Sequence, residues 1–264
     1  MPYLDFISDE TFKRAVRKVI DVQNKANIKG ENEIFANVVD PYSAIFESCF
    51  AKISYPEWIK LERSRQSQKS AQNSIGNFHE DILIGADGWE KITKDQPYLN
   101  EYENTMLDIR NQKIKIVAEI KNKHNTIKGS SNADMYDTLN AWISNQDEGF
   151  TAYLVHIIPD KGKPYDIPYT PAKGGLKRPT NNSIRVIDGR SFYAKVFSLP
   201  NALDLIFEKL PEVINDVILE TNSDKITKNN NPIVVREVIN SDEKFGLSFS
   251  DLFRRAYPWD VDPR

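Results

Sequence analysis

The run Lys113-Ile114-Lys115-Ile116-Val117-Ala118-Glu119-Ile120-Lys121 constrains this chain more than any other stretch. Its β-branched residues favour a strand, and strand side chains alternate between faces. Lys113, Lys115, Val117, Glu119 and Lys121 therefore share one face. Ile114, Ile116, Ala118 and Ile120 share the other, which reads as core. Glu119 and Lys121 are two residues apart, roughly 7 Å along a strand. A carboxylate thus stands beside an ammonium at the end of a buried element, with a second acid, Asp108, upstream. Phosphodiester cleavage needs that combination. The carboxylates hold a hard divalent ion, the ion offsets phosphoryl charge and lowers the pKa of bound water, and the lysine orients the water or, as the neutral amine, deprotonates it, and as the ammonium stabilises developing charge.

The pattern around this run suggests an α/β sandwich in one domain, 1–264, with a mixed central sheet flanked by helices. Helices are expected at 8–24, from Pro41 to about Lys52 with Ile45, Phe46 and Phe50 inward, and from Pro56 to about Ile84. The last has a stripe of Ala71, Ile75, Phe78 and Ile82. Strands are expected at 105–110 and 113–121, then a helix to about Asn145 burying Met135, Leu139, Trp142 and Ile143. Residues 150–158 read as a strand buried on both faces, 159–182 as a long loop, and 184–187 as a short strand. Helices are expected at 190–198, 201–210 and from Pro211 to about Leu219. The aromatic tail, with Tyr257 and Trp259, is expected to dock on the body or on a second subunit.

Composition closes off other chemistries. A single Cys49 excludes an internal disulfide and a cysteine-based zinc cluster, and three histidines make a histidine-rich metal site unfavourable. The start of the chain lacks the basic-then-apolar order of a signal peptide, and no apolar run spans a bilayer. These features indicate a reducing, intracellular setting without a membrane. The net charge of −3 does not advertise a nucleic-acid binder, but the basic groups cluster. Residues 110–128 carry six against Glu119 alone, and 161–190 carry seven against Asp166 and Asp188. Such tracts suit a positive cleft on an otherwise repulsive body.

One geometric condition follows. If Asn111-Gln112 is a two-residue turn, Asp108 lies across from Lys115, and Glu119 is roughly 13 Å further along. A longer loop, a bulge or strong twist must then bring the acids together; Glu103 is the substitute acid. The Ile120 carbonyl is a further candidate ligand, and Glu80 a third acid from the long helix. His79 reads as a core or surface histidine before a general base.

The pattern Asp108-x10-Glu119-x-Lys121 resembles the PD-(D/E)xK nuclease superfamily. Longer stretches resemble type II restriction endonucleases of the Eco-forty-seven-II group: 75–83 with Gly88-Trp89-Glu90, Ala118 to Ser130, and Lys177-Arg178-Pro179 with 184–193. Leu107 stands where the superfamily usually has proline. The resemblance implies Mg²⁺-dependent cleavage of both strands of double-stranded DNA at a short palindromic or near-palindromic, GGNCC-like site, with Asp108, Glu119 and Lys121 catalytic. A palindrome suits a homodimer, and a restriction enzyme implies a cognate DNA methyltransferase in a bacterial or archaeal cytoplasm. Guanine-rich half-sites are read by Arg or Lys. Lys123, Asn125, Lys128, Lys173, Lys177, Arg178 and Arg185 are the candidate DNA contacts, by base or by phosphate. Two alternatives share these residues: a repair or junction-resolving nuclease of the same fold, and a non-catalytic DNA-binding module in which Glu119 and Lys121 form a surface ion pair.

Overall fold

A computed structural model of the chain describes residues 1–28, 39–93, 107–127, 131–146, 149–160, 162–223 and 248–260. It comprises two compact units, one of residues 1–13 with 79–264, the other of residues 14–78. The smaller unit holds most of α1 (Asp9–Ile28), α2 (Pro41–Ala51) and α3 (Tyr55–Leu83). Asp40 caps α2 by accepting the Tyr42 amide at 2.9 Å, and Pro41 takes the first turn, where no donor is needed. The expected inward stripe of α2 is reversed: Ile45, Phe46 and Phe50 are exposed, whereas Ala44 is buried. The helix turns its small and polar side inward because Glu47 accepts the Trp58 indole N–H at 2.8 Å and the Arg65 guanidinium at 2.6 Å.

The larger unit is built on a mixed sheet of six strands. In chain order these are β1 (Trp89–Lys91), β2 (Ile109–Asn111), β3 (Ile116–Lys123), β4 (Thr151–Ile158), β5 (Asp166–Pro168) and β8 (Ile184–Asp188). A separate hairpin pairs β6 (Ala172–Lys173) with β7 (Leu176–Lys177). The spatial order is β1-β2-β3-β4-β8-β5. β1, β2 and β3 form an antiparallel meander, β3, β4 and β8 run parallel, and β5 returns antiparallel to β8. The expected long loop at 159–182 therefore contains β5, β6 and β7; prolines and short runs hid them from a periodicity argument.

Helices cover both faces. On one, Tyr136, Leu139 and Trp142 of α4 (Ser131–Ser144) meet Val117, Ala152, Leu154 and Ile184, with Met135 and Ile143 partly buried around them. On the other, Phe192 of α5 (Gly189–Phe197) packs edge-on against Trp89 and beside Tyr153. This double covering corrects the one-sided reading of β3: Val117 and Glu119 are as buried as Ala118 and Ile120. Close packing also fixes Gly189, where a Cβ would lie 2.4 Å from the Ile157 carbonyl oxygen.

The two helices expected on either side of Pro211 are one, α6 (Ala202–Ser223). Interior proline costs a helix roughly 3 kcal/mol. Here Leu203, Ile206, Val213 and Val217 are buried along one continuous side and offset it. The described part of the tail docks on the body. In α7 (Phe249–Ala256), Phe253 stacks on Phe207 at 4.4 Å. Beyond it, the Tyr257 hydroxyl donates to the Ile157 carbonyl. Among the described residues, no helix is long and apolar enough to cross a membrane.

Candidate active site

The site begins with the loop between β2 and β3. It is four residues long, 112–115, not the two residues of a tight hairpin. The Asn111 side chain explains this length. Its Oδ1 accepts the amides of Lys113 at 3.0 Å and Ile114 at 3.3 Å, and its amide donates to the Asp87 carbonyl at 3.1 Å. Such an asparagine turn competes with the strand ladder and delays pairing. Lys115 closes the loop at φ 53. The resulting register pairs Ile109 with Ala118, Arg110 with Val117 and Asn111 with Ile116. Beyond Ile109 the ladder leaves this register: the Asp108 amide also turns to Ala118, donating to its carbonyl at 3.0 Å. The longer loop and this local break bring Asp108 close enough to Glu119 for the second carboxylate to disfavour charge on the first.

β2 has ended at this level, so the Ile120 amide has no ladder partner from it. It donates instead to Asp108 Oδ2 at 2.6 Å. The backbone of Asp108 is also held: its amide donates to Ala118 O at 3.0 Å and its carbonyl accepts from Ile92 at 2.9 Å. Within one strand residue N–H and C=O leave on the same edge, so the Ile120 carbonyl also points to the Asp108 side. Leu107, in the position usually held by proline, is buried in the core.

Glu119 is 4% exposed. Its Oε1 accepts from the Lys121 ammonium, and its buried Oε2 has no hydrogen-bond partner in the described structure. A surface ion pair does not look like this, because an unsatisfied buried carboxylate oxygen is costly. Glu80, in the last turn of α3, is 8% exposed and bonds Lys91 of β1 at 2.5 Å.

Three carboxylates, Asp108, Glu119 and Glu80, thus gather around two ammonium groups, Lys121 and Lys91, and their electrostatics agree with this balance. Burial, with Glu119 and Glu80 close by, pushes the Asp108 carboxyl up to about 8, although the Ile120 amide and Lys121 pull the other way. Burial raises Glu119 too, with Glu80 adding to it and Lys121 opposing it. Burial opposes charge on Lys121, but Glu119, Asp108 and Glu80 outweigh it and hold the ammonium above its ordinary value. Burial thus works against charge on both acids, and one oxygen of Glu119 is left unpaired. That arrangement fits a divalent cation held by Asp108, Glu119 and the Ile120 carbonyl. Among the described residues no three acidic, histidine or cysteine side chains are grouped so as to hold a metal ion by themselves. The remaining positions would fall to water and substrate oxygens, as magnesium prefers.

The other sequence candidates separate into groups. Lys123 and Asn125, at the end of β3 and just beyond, are exposed. Lys177, on β7, is exposed as well; Lys173 lies on β6. Arg178 is engaged bidentately by Asp137 of α4 at 2.7 and 2.5 Å. Arg185 is held by Asp166 of β5 at 2.5 Å. Lys128 and Glu103 lie outside the described residues. His79, partly buried, places Nδ1 2.8 Å from the Tyr193 hydroxyl, and burial pushes its pKa down to about 4. Lys91 is the residue sequence reasoning missed. It follows directly on Gly88-Trp89-Glu90, but nothing in a three-residue strand announces that it turns back to Glu80.

The sequence profile of the Eco47II restriction endonuclease family matches residues 4–219. The type II restriction enzyme Eco47II of Escherichia coli is 36% identical over 225 residues, spanning 83% of this chain and 90% of that enzyme. The type II restriction enzyme Sau96I of Staphylococcus aureus is 24% identical over 225 residues, spanning 82% and 81%. With the acid pair and its lysine at the end of the β2–β3 hairpin, these matches establish that the chain belongs to the Eco47II restriction endonuclease family and is a type II restriction endonuclease.

Proposed function

We propose that the whole chain, 1–264, acts as one Mg²⁺-dependent endonuclease domain. As a homodimer it cuts both strands of double-stranded DNA at a short palindromic or near-palindromic, GGNCC-like site. In this reading Asp108, Glu119 and the Ile120 carbonyl hold the ion. When bound, Mg²⁺ offsets phosphoryl charge and acidifies a coordinated water. Asp108 is kept in place by the Ile120 amide. Lys121, protonated beside Glu119, donates to the attacking water or to a phosphoryl oxygen and stabilises the charge that develops there. Glu80 acts from the margin, where Lys91 holds it. Lys123, Asn125, Lys128, Lys173 and Lys177 contact DNA. Arg178 and Arg185 join them by exchanging Asp137 and Asp166 for DNA acceptors. The enzyme works in a bacterial or archaeal cytoplasm beside a cognate DNA methyltransferase.

The observation that carries this reading is the unpartnered, buried Glu119 Oε2 on the strand facing Asp108. Plasmid DNA incubated with the protein and Mg²⁺, with end-mapping of products, tests it. One defined sequence cut in both strands, and no cutting with Lys121→Ala, is the expected result. Cleavage governed by DNA structure in place of sequence points to a repair nuclease, and binding without cleavage to a non-catalytic module.

A further inference from the structure

Helix α2 carries its amphipathicity inside out. Tyr42, Ile45, Phe46, Cys49 and Phe50 follow spacings of three and one and so form one helical stripe. The four large ones are 74%, 64%, 75% and 93% exposed, and Cys49 is exposed as well. The opposite side presents Ala44, Glu47 and Ser48 to the protein, with Glu47 tied to Trp58 and Arg65. A contiguous row of large apolar side chains facing water marks an interaction surface.

We propose that this stripe is a two-fold interface with a second copy of the chain. The choice of occupant rests on the two-strand cleavage proposed above. One chain supplies one acid–lysine cluster, so cutting two strands at a symmetric site calls for a symmetry-related copy. Charge points the same way. Glu47 is the only ionisable acid in α2, the helix has no lysine or arginine, and Glu47 is engaged on the inward side. Two copies of the stripe can face each other without like-charge repulsion, whereas DNA phosphates would find no cation there. Size is adequate: an aromatic side chain buries roughly 150–250 Å², so the stripe offers on the order of 500 Å² per copy. A face-to-face pair then removes on the order of 1,000 Å², the threshold for specific association.

Sedimentation equilibrium of the full chain over the micromolar range, with and without a DNA duplex, tests this. The wild type is expected to dimerise, and the Ile45→Glu/Phe46→Glu double variant to raise the dimer dissociation constant by roughly a hundredfold. Both substitutions are at exposed positions, so thermal unfolding should stay unchanged; Leu252→Ser, at an exposed site on α7, is the control and should still dimerise. Maleimide modification of Cys49 should slow as protein concentration rises. A double variant that stays folded and dimeric overturns the proposal and leaves the nuclease reading intact. A wild type that is monomeric with and without DNA overturns it too. Failure of the wild type to cut DNA sinks the nuclease reading instead, and sedimentation still decides the interface.

Discussion

The Ile120 amide donates to Asp108 Oδ2 at 2.6 Å, which ties the first acid of the site to the backbone between its other two functional groups, Glu119 and Lys121. A strand residue left without a ladder partner thus positions a carboxylate. One bond couples the folding of the hairpin to the geometry of the cluster. Asp108→Asn and Glu119→Gln keep the shape of these side chains and remove the charge. Each is expected to lower cleavage by about 10²–10⁴-fold, with Lys121→Ala in the same range and DNA binding in gel shifts retained. Cleavage within tenfold of wild type for any of the three would remove that residue from the catalytic set.

Asn111 sets the loop that aligns the acids. Asn111→Ala leaves the Lys113 and Ile114 amides without their acceptor and is expected to cost about 1–2 kcal/mol in urea unfolding. Because this loop leads from β2 into β3 and so brings Glu119 near Asp108, cleavage should fall further than stability alone explains at temperatures where the variant is folded. Undiminished cleavage by a destabilised Asn111→Ala would show that the loop does not control the site.

The raised Asp108 pKa gives a signed pH dependence. An acid raised on folding stabilises most below its unfolded value, and that contribution is lost as pH rises through the folded one. In metal-free buffer the stability of wild type relative to Asp108→Asn should therefore decline between its ordinary value of 3.8 and about 8. Metal binding needs the ionised form, so Mg²⁺ should displace protons and bind more tightly as pH rises over the same window. Calorimetric titrations in buffers of differing ionisation enthalpy read the proton count. A relative stability that climbs with pH contradicts this assignment.

Lys91→Ala strips Glu80 of its partner in a site already rich in carboxylates. The pair is partly exposed on the lysine side, so the stability loss should stay near 1 kcal/mol. Cleavage should drop about tenfold, and Lys91→Arg should restore part of it. Equal cleavage by Lys91→Ala and wild type would make the pair merely structural.

Gly189→Ala is expected to destabilise by about 1–3 kcal/mol, because its Cβ would meet main-chain atoms of Ile157 that cannot swing aside. Thermal unfolding checks this, and a change below a few tenths would mean that β4 and α5 separate easily.

The sequence alone determined the strand that carries the site and the alternation that puts Glu119 and Lys121 on one face. It also specified the mixed sheet flanked by helices and the helices at α1, α2, α4 and α5, because these depend on periodicity and local caps. Extended stretches such as 118–130 also made the family legible before any coordinates. Three matters waited for tertiary structure. The approach of Asp108 to Glu119 depends on hydrogen bonds from the Asn111 side chain, which fix the length of the loop between them. Continuation of α6 through Pro211 depends on burial of residues on both sides of it, which local propensity cannot see. The outward turn of Ile45, Phe46 and Phe50 depends on Glu47 meeting Trp58 and Arg65 of α3. Periodicity tells that a helix has an apolar face; only the partners around it decide which way that face points.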